Sequence, residues 1–237
     1  MAPFKLASRR IGSNHEDPVV NITRRKFLEG TAALALIGGA MALAGEAMIV
    51  PARAQTVPMD ELMAPGPLPD QVLGAADAPV VIVEYASMTC PHCADFHTKT
   101  FPELRKRFID TGKVRFIFRE FPLDPLAAAG SMLARCAGEG KFFPMVEMLF
   151  SQQKSWAVQK PLPPLKQLAK QAGFTEQSFE QCLANQKLLD DIEKTRERAS
   201  TKFGVGSTPT LFINGEKHAG ALSIEDLEKK IQSYLKS

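Results

Sequence analysis

The chain has 237 residues, 45% hydrophobic and 23% charged, enough apolar material for one globular domain, with no internal repeat or low-complexity tract. Its formal net charge of +3 comes from the N-terminus: residues 1–54 hold seven Lys or Arg against four Asp or Glu, and the remaining chain holds 22 of each. A near-neutral body excludes a nucleic-acid-binding surface built on bulk charge.

In chain order, Thr23-Arg24-Arg25-Lys26-Phe27-Leu28 resembles the twin-arginine export motif, and a weakly apolar run from about Ala32 to Gly45 follows. Ala52-Arg53-Ala54 is a small-x-small cleavage signature, so residues 1–54 are expected to be a signal peptide, with a mature start at Gln55 and a periplasmic destination. A membrane anchor needs about twenty apolar residues, and Glu46 interrupts this run. Residues 55–70, with prolines at 58, 65, 67 and 69, predict an extended tail with no regular element.

Pro79 to Ala86 is β-branched and apolar, as a buried strand requires, and Ala94 to Phe108 carries Phe96, Phe101, Leu104 and Phe108 at helical spacing. Between them stands Cys90-Pro91-His92-Cys93. Two thiols three positions apart can be traded for a disulfide, and a helix start offers unpaired N–H groups and a positive dipole end to hold a thiolate. Cys90 is therefore assigned as the nucleophile and Cys93, one turn inside, as the resolving thiol. His92 can add a positive charge or an N–H donor beside sulfur. The competing chemistry is metal binding, since Cys90, Cys93 and His97 would make three ligands of a zinc site, but no fourth is evident nearby.

Pro102 predicts a kink in the helix that follows the motif. From about Asp124 to Gly204 the pattern is helical: Leu126 to Ala137, Phe143 to Ser151, Leu165 to Ala172 and a long run from Ser178 to Phe203, with Trp156, Pro161, Pro163 and Pro164 in a loop. Leu211 to Ile213 and Glu216 to Ala219 flank Asn214-Gly215, a hairpin signal. Ser223 and Asp226 read as an N-cap pair for a last helix with Ile224, Leu227, Ile231 and Leu235 on one face. Cys136 and Cys182 remain after the motif pair; an oxidising compartment favours joining them, and two buried free thiols are the alternative.

The motif in this setting resembles the DsbA-like branch of the thioredoxin superfamily, over roughly Gln71 to the C-terminus. The resemblance implies an α/β thioredoxin fold, discontinuous over 71–123 and 205–237, with an inserted all-helical domain over 124–204 that overhangs the active site. It makes Glu84, six residues before Cys90, a buried acid that shuttles the proton of the resolving cysteine. It makes Thr208-Pro209 a cis-proline loop beside the sulfur, with Thr208 and Pro209 binding extended substrate, and Phe118 to Leu123 the second strand and its exit. The implied activity is thiol–disulfide exchange without a cofactor or metal. The expected direction is donation of the Cys90–Cys93 disulfide to reduced exported proteins by a monomer that a DsbB-like membrane partner reoxidises. The rivals are an isomerase or reductase kept reduced by a membrane relay, which Thr208 before the proline also suits, and a copper carrier using the two soft thiols.

Overall fold

The computed structural model describes residues 55–236; the signal peptide expected over 1–54 and its cleavage point lie outside the described residues. Segment 55–70 is not the featureless tail its prolines suggest. Met59–Met63 forms a short helix, α1, and the segment is bonded along its length. Val57 N–H donates to Gly215 O and Lys217 N–H to Gln55 O, both at 2.9 Å. Arg198 donates to the carbonyls of Glu61, Ala64 and Pro65. Arg119 pairs with both carboxylate oxygens of Asp70 at 2.8 and 2.9 Å and donates to Leu62 O. Prolines lose a donor but keep a carbonyl acceptor, and arginines far away in sequence supply the donors that dock this strap.

Five strands form one mixed sheet: β1 (Gln71–Leu73), β2 (Val80–Ala86), β3 (Val114–Glu120), β4 (Thr210–Ile213) and β5 (Glu216–Ala219), in the order β1-β3-β2-β4-β5. Only β2 and β3 run parallel, with Ile82 opposite Phe116 and Glu84 opposite Phe118. Being central, β2 is covered on both faces, which is why it reads as an almost unbroken apolar run. Its period-2 alternation sends Val83 and Tyr85 to a cluster with Val57 and Leu62 of the strap and with Phe203 and Phe212. Val80, Ile82 and Ala86 go to the opposite, larger core. The hairpin forms as expected: Asn214 (φ 46°) and Gly215 (φ 86°) are both left-handed, and a Cβ on Gly215 would meet Val57 O at 2.3 Å.

The helix after the motif starts as α2 (Pro91–Asp95), widens to a π-helical turn over Phe96–Thr100, narrows through α3 (Phe101–Leu104) and widens again over Arg105–Ile109. Pro102 thus sits between two π turns. It has no N–H to give Thr98 O, and Phe101 N–H reaches back to Phe96 O instead.

Six helices fill the middle of the chain: α4 (Pro125–Cys136), α5 (Phe142–Ser151), α6 (Gln153–Trp156), α7 (Leu162–Gln171), α8 (Glu176–Leu183) and α9 (Gln186–Phe203). The run expected to be continuous from Ser178 breaks at Ala184-Asn185, where the Asn185 side chain caps α9 by accepting from Leu188 N–H at 3.1 Å. Pro163 and Pro164 lie inside the first turn of α7, where missing donors cost nothing, and not in a loop. Trp156 is also helical and fully buried; its Nε1 donates to Leu149 O at 2.7 Å. A Cβ on Gly130 of α4 would lie 3.0 Å from Met88 Cβ and 3.4 Å from the Trp156 ring.

Cys136 and Cys182 are joined, tying the end of α4 to α8 across 46 positions, with Cα atoms 6.1 Å apart. By the chain-entropy estimate such a loop contributes about 4 kcal/mol. The last helix, α10 (Ile224–Leu235), begins at Ser223, whose side chain accepts from Asp226 N–H, and packs Leu227 and Ile231 into the larger core. No helix of the described residues is long and apolar enough to cross a membrane.

Candidate active site

The end of β2 delivers the motif. After Ala86 the chain turns through Ser87, whose carbonyl accepts from Cys90 N–H at 3.1 Å, and Cys90 becomes the extended N-cap residue of α2 with Pro91 in the first turn. Both motif cysteines are free thiols. Cys90 keeps 6% of its surface exposed and Cys93 none. The Cys90 thiol donates to Thr208 O at 3.2 Å, and the Thr208–Pro209 bond is cis. Residues separated by more than a hundred positions therefore meet at one sulfur. The Thr208 carbonyl accepts from that thiol in this state.

The two thiols sit in opposite electrostatic settings. The Cys90 thiol is lowered from an ordinary 9.0 to about 5, chiefly by a hydrogen bond from Cys93 and further by Thr208 and the backbone N–H groups of Cys93 and His92, against the effect of burial. His92 thus acts through its backbone, and its side chain is exposed. Burial pushes the Cys93 thiol far up, and its hydrogen bond to Cys90 and the charge of Glu84 push the same way. The site favours the anion at the outer sulfur and the neutral thiol at the inner one, the division of labour that exchange requires.

Glu84 is fully buried on the same side of the sheet as Cys93, with Oε2 2.8 Å from Nε2 of His97. The imidazole lies flat on Phe150, centroids 4.5 Å apart, beside Phe101 and Phe118. Among the described residues no three His, Cys, Asp or Glu side chains gather as a metal cluster, and His97 is paired with Glu84.

Sequence reasoning missed Gln153. This buried side chain at the start of α6 donates to Met88 O at 2.9 Å and Cys90 O at 3.0 Å, so a helix of the middle segment holds the catalytic turn directly. Thr89 adds a second tie by donating to Asp124, the N-cap of α4. An amide at position 153 carries no motif, and nothing in its neighbourhood marks it.

The family model described as Thioredoxin matches residues 68–233. The chain belongs to the thioredoxin family. Within this family it stands on the DsbA-like side that its motif suggested. Wolbachia pipientis alpha-DsbA1 is 33% identical, with a TM-score of 0.69 over 75% of this chain and 96% of that one. Oxidised BdbD from Bacillus subtilis is 28% identical, with a TM-score of 0.59 over 71% of this chain and 94% of that one. A Rickettsia conorii relative named as a protein-disulfide oxidoreductase is 35% identical over 169 residues, 70% of this chain. The chain spans about three fifths of such curated relatives, 60% of that one and 57% of its Rickettsia bellii counterpart. The thioredoxin fold expected from the sequence is borne out.

Proposed function

We propose that the protein is a thiol–disulfide oxidase of the periplasm that passes the Cys90–Cys93 disulfide to reduced exported proteins. A client thiolate attacks Cys90 Sγ, the Cys90–Cys93 bond breaks, and its electron pair and a proton go to Cys93. A second client thiolate then attacks the client sulfur of the mixed disulfide and releases Cys90 as a thiolate. The client leaves oxidised by two electrons, and a DsbB-like membrane partner restores the disulfide. Cys90 and Cys93 do the exchange, Glu84 serves the Cys93 proton, His92 supports the Cys90 anion, and Thr208 and Pro209 receive the client backbone.

One feature carries this direction: Cys90 caps the start of α2, where the Cys93 thiol and the backbone N–H groups of Cys93 and His92 lower its thiol to about 5. An anion held this well stabilises the dithiol state, and a stabilised dithiol makes its disulfide a strong oxidant. Equilibration with glutathione tests the reading. A potential of about −200 mV or above is expected; one near −270 mV, thioredoxin's value, would assign the protein to the reductants.

A further inference from the structure

We infer that His97 relays protons between Glu84 and bulk water, so that the Cys93 thiol is served from the flank of its helix and not through the face that a client covers. The inference rests on the oxidoreductase reading above and adds a residue to it.

The Glu84 and His97 side chains are 0% and 1% exposed, and they meet at 2.8 Å. Each nevertheless keeps one polar atom, Glu84 Oε1 and His97 Nδ1, without a hydrogen-bond partner among the described residues. Leaving one buried polar atom unpaired costs about 1–3 kcal/mol, so two of them in one contacting pair call for an explanation. A proton relay accounts for both, because each member receives on one atom and hands on from the other.

Position supplies the rest. Glu84 is close enough for its charge to act on the Cys93 thiol. His97 follows Cys93 by four residues on the same helix and forms part of the wall of a cavity of about 760 Å³. Thr98 and Ser151 on its rim are exposed. The charged groups around it are Arg105, Lys106 and Asp110 from the continuation of the same helix and Glu147 from α5, which pairs with Arg105 at 3.1 Å. From the sheet, Glu84 alone faces the imidazole with a charge; Phe118 and, from α5, Phe150 face it with rings.

In the mixed-disulfide state the client sits on Cys90 and obstructs the front. When the Cys90–Cys93 bond breaks, its electron pair goes to Cys93 Sγ, the Glu84 carboxyl protonates that sulfur, His97 protonates the Glu84 carboxylate, and water in the cavity reprotonates His97. In the reverse direction the same groups take the proton from Cys93 so that it can attack the mixed disulfide at Cys90.

The test uses the reduced full chain mixed rapidly with glutathione disulfide, comparing wild type, His97→Gln and His97→Phe. Glutamine keeps a hydrogen bond to Glu84 and phenylalanine keeps the stack on Phe150, but neither carries a proton. Two steps separate by concentration dependence: second-order capture of glutathione by Cys90, then first-order resolution by Cys93. Resolution is expected to slow at least fivefold in both variants, below the roughly 100-fold a general acid–base group contributes, while capture stays within twofold of wild type. Resolution slowed less than fivefold, or both steps slowed together as in a disordered site, overturns the relay. If His97→Phe does not fold, His97→Gln carries the test alone. Wild type that captures no glutathione at Cys90 overturns the oxidoreductase reading itself, and the relay with it.

Discussion

Reducing the motif disulfide should stabilise the folded protein by an amount that grows as pH rises from about 5 toward 9. The Cys90 thiol moves from 9.0 when unconstrained to about 5 in the fold, and at 6% exposure it is sheltered enough for the shift to count as stability. The folded value lies below the unfolded one, so the Cys90 contribution is complete near pH 9, where the raised Cys93 thiol begins to oppose it, and is lost as pH falls through about 5. At about 1.4 kcal/mol per unit, two units are in force near pH 7, or about 3 kcal/mol, against less than about 0.5 kcal/mol at pH 5. The disulfide form has no Cys90 thiol to titrate and serves as the reference. Urea unfolding of both forms, followed by far-ultraviolet circular dichroism, should show the gap between them widening by about 2–3 kcal/mol from pH 5 to pH 7. Near pH 7 the same stabilisation corresponds to about 60 mV of added oxidising power. A gap that does not change with pH, or a thiolate absorbance midpoint near pH 8, would refute the claim that the helix start and the Cys93 thiol hold an anion.

Gln153→Ala should cost about 1–3 kcal/mol by leaving the buried carbonyls of Met88 and Cys90 short of a donor; thermal unfolding gives the loss, and faster amide exchange at Ser87–Cys90 should accompany it. Arg119→Met removes a guanidinium bonded to Asp70, Leu62 O and the Tyr85 hydroxyl. About 3–5 kcal/mol is at stake, and limited proteolysis should then cut within 55–70, a segment that wild type protects.

What the sequence announced was local. Cys90-Pro91-His92-Cys93 lies at a strand-to-helix junction because β-branched alternation stops at Ala86 and helical spacing begins by Ala94. Asn214-Gly215 encodes its own left-handed turn, and Ser223 its own cap. What remained hidden depends on partners distant along the chain. β1 has three residues, too few for a pattern, and exists because β3 offers it an edge. The strap over 55–70 reads as unstructured until Arg119 and Arg198 are placed beside it. The break between α8 and α9 falls at Ala184-Asn185, without glycine or proline, and only the capping bond of Asn185 reveals it. Within the site, the placement of Glu84 and Pro209 was legible through family likeness, whereas the pairing of His97 with Glu84 and the ties of Gln153 to the turn rest on contacts that no spacing rule anticipates.

The chain contains a single tryptophan, and Trp156 is wedged behind the catalytic turn, its ring and Met88 converging on the spot where Gly130 has no side chain. Any shift of Met88 and its turn on oxidation would therefore press on the ring of Trp156, and a difference in emission between the oxidised and reduced protein is the expected sign of it.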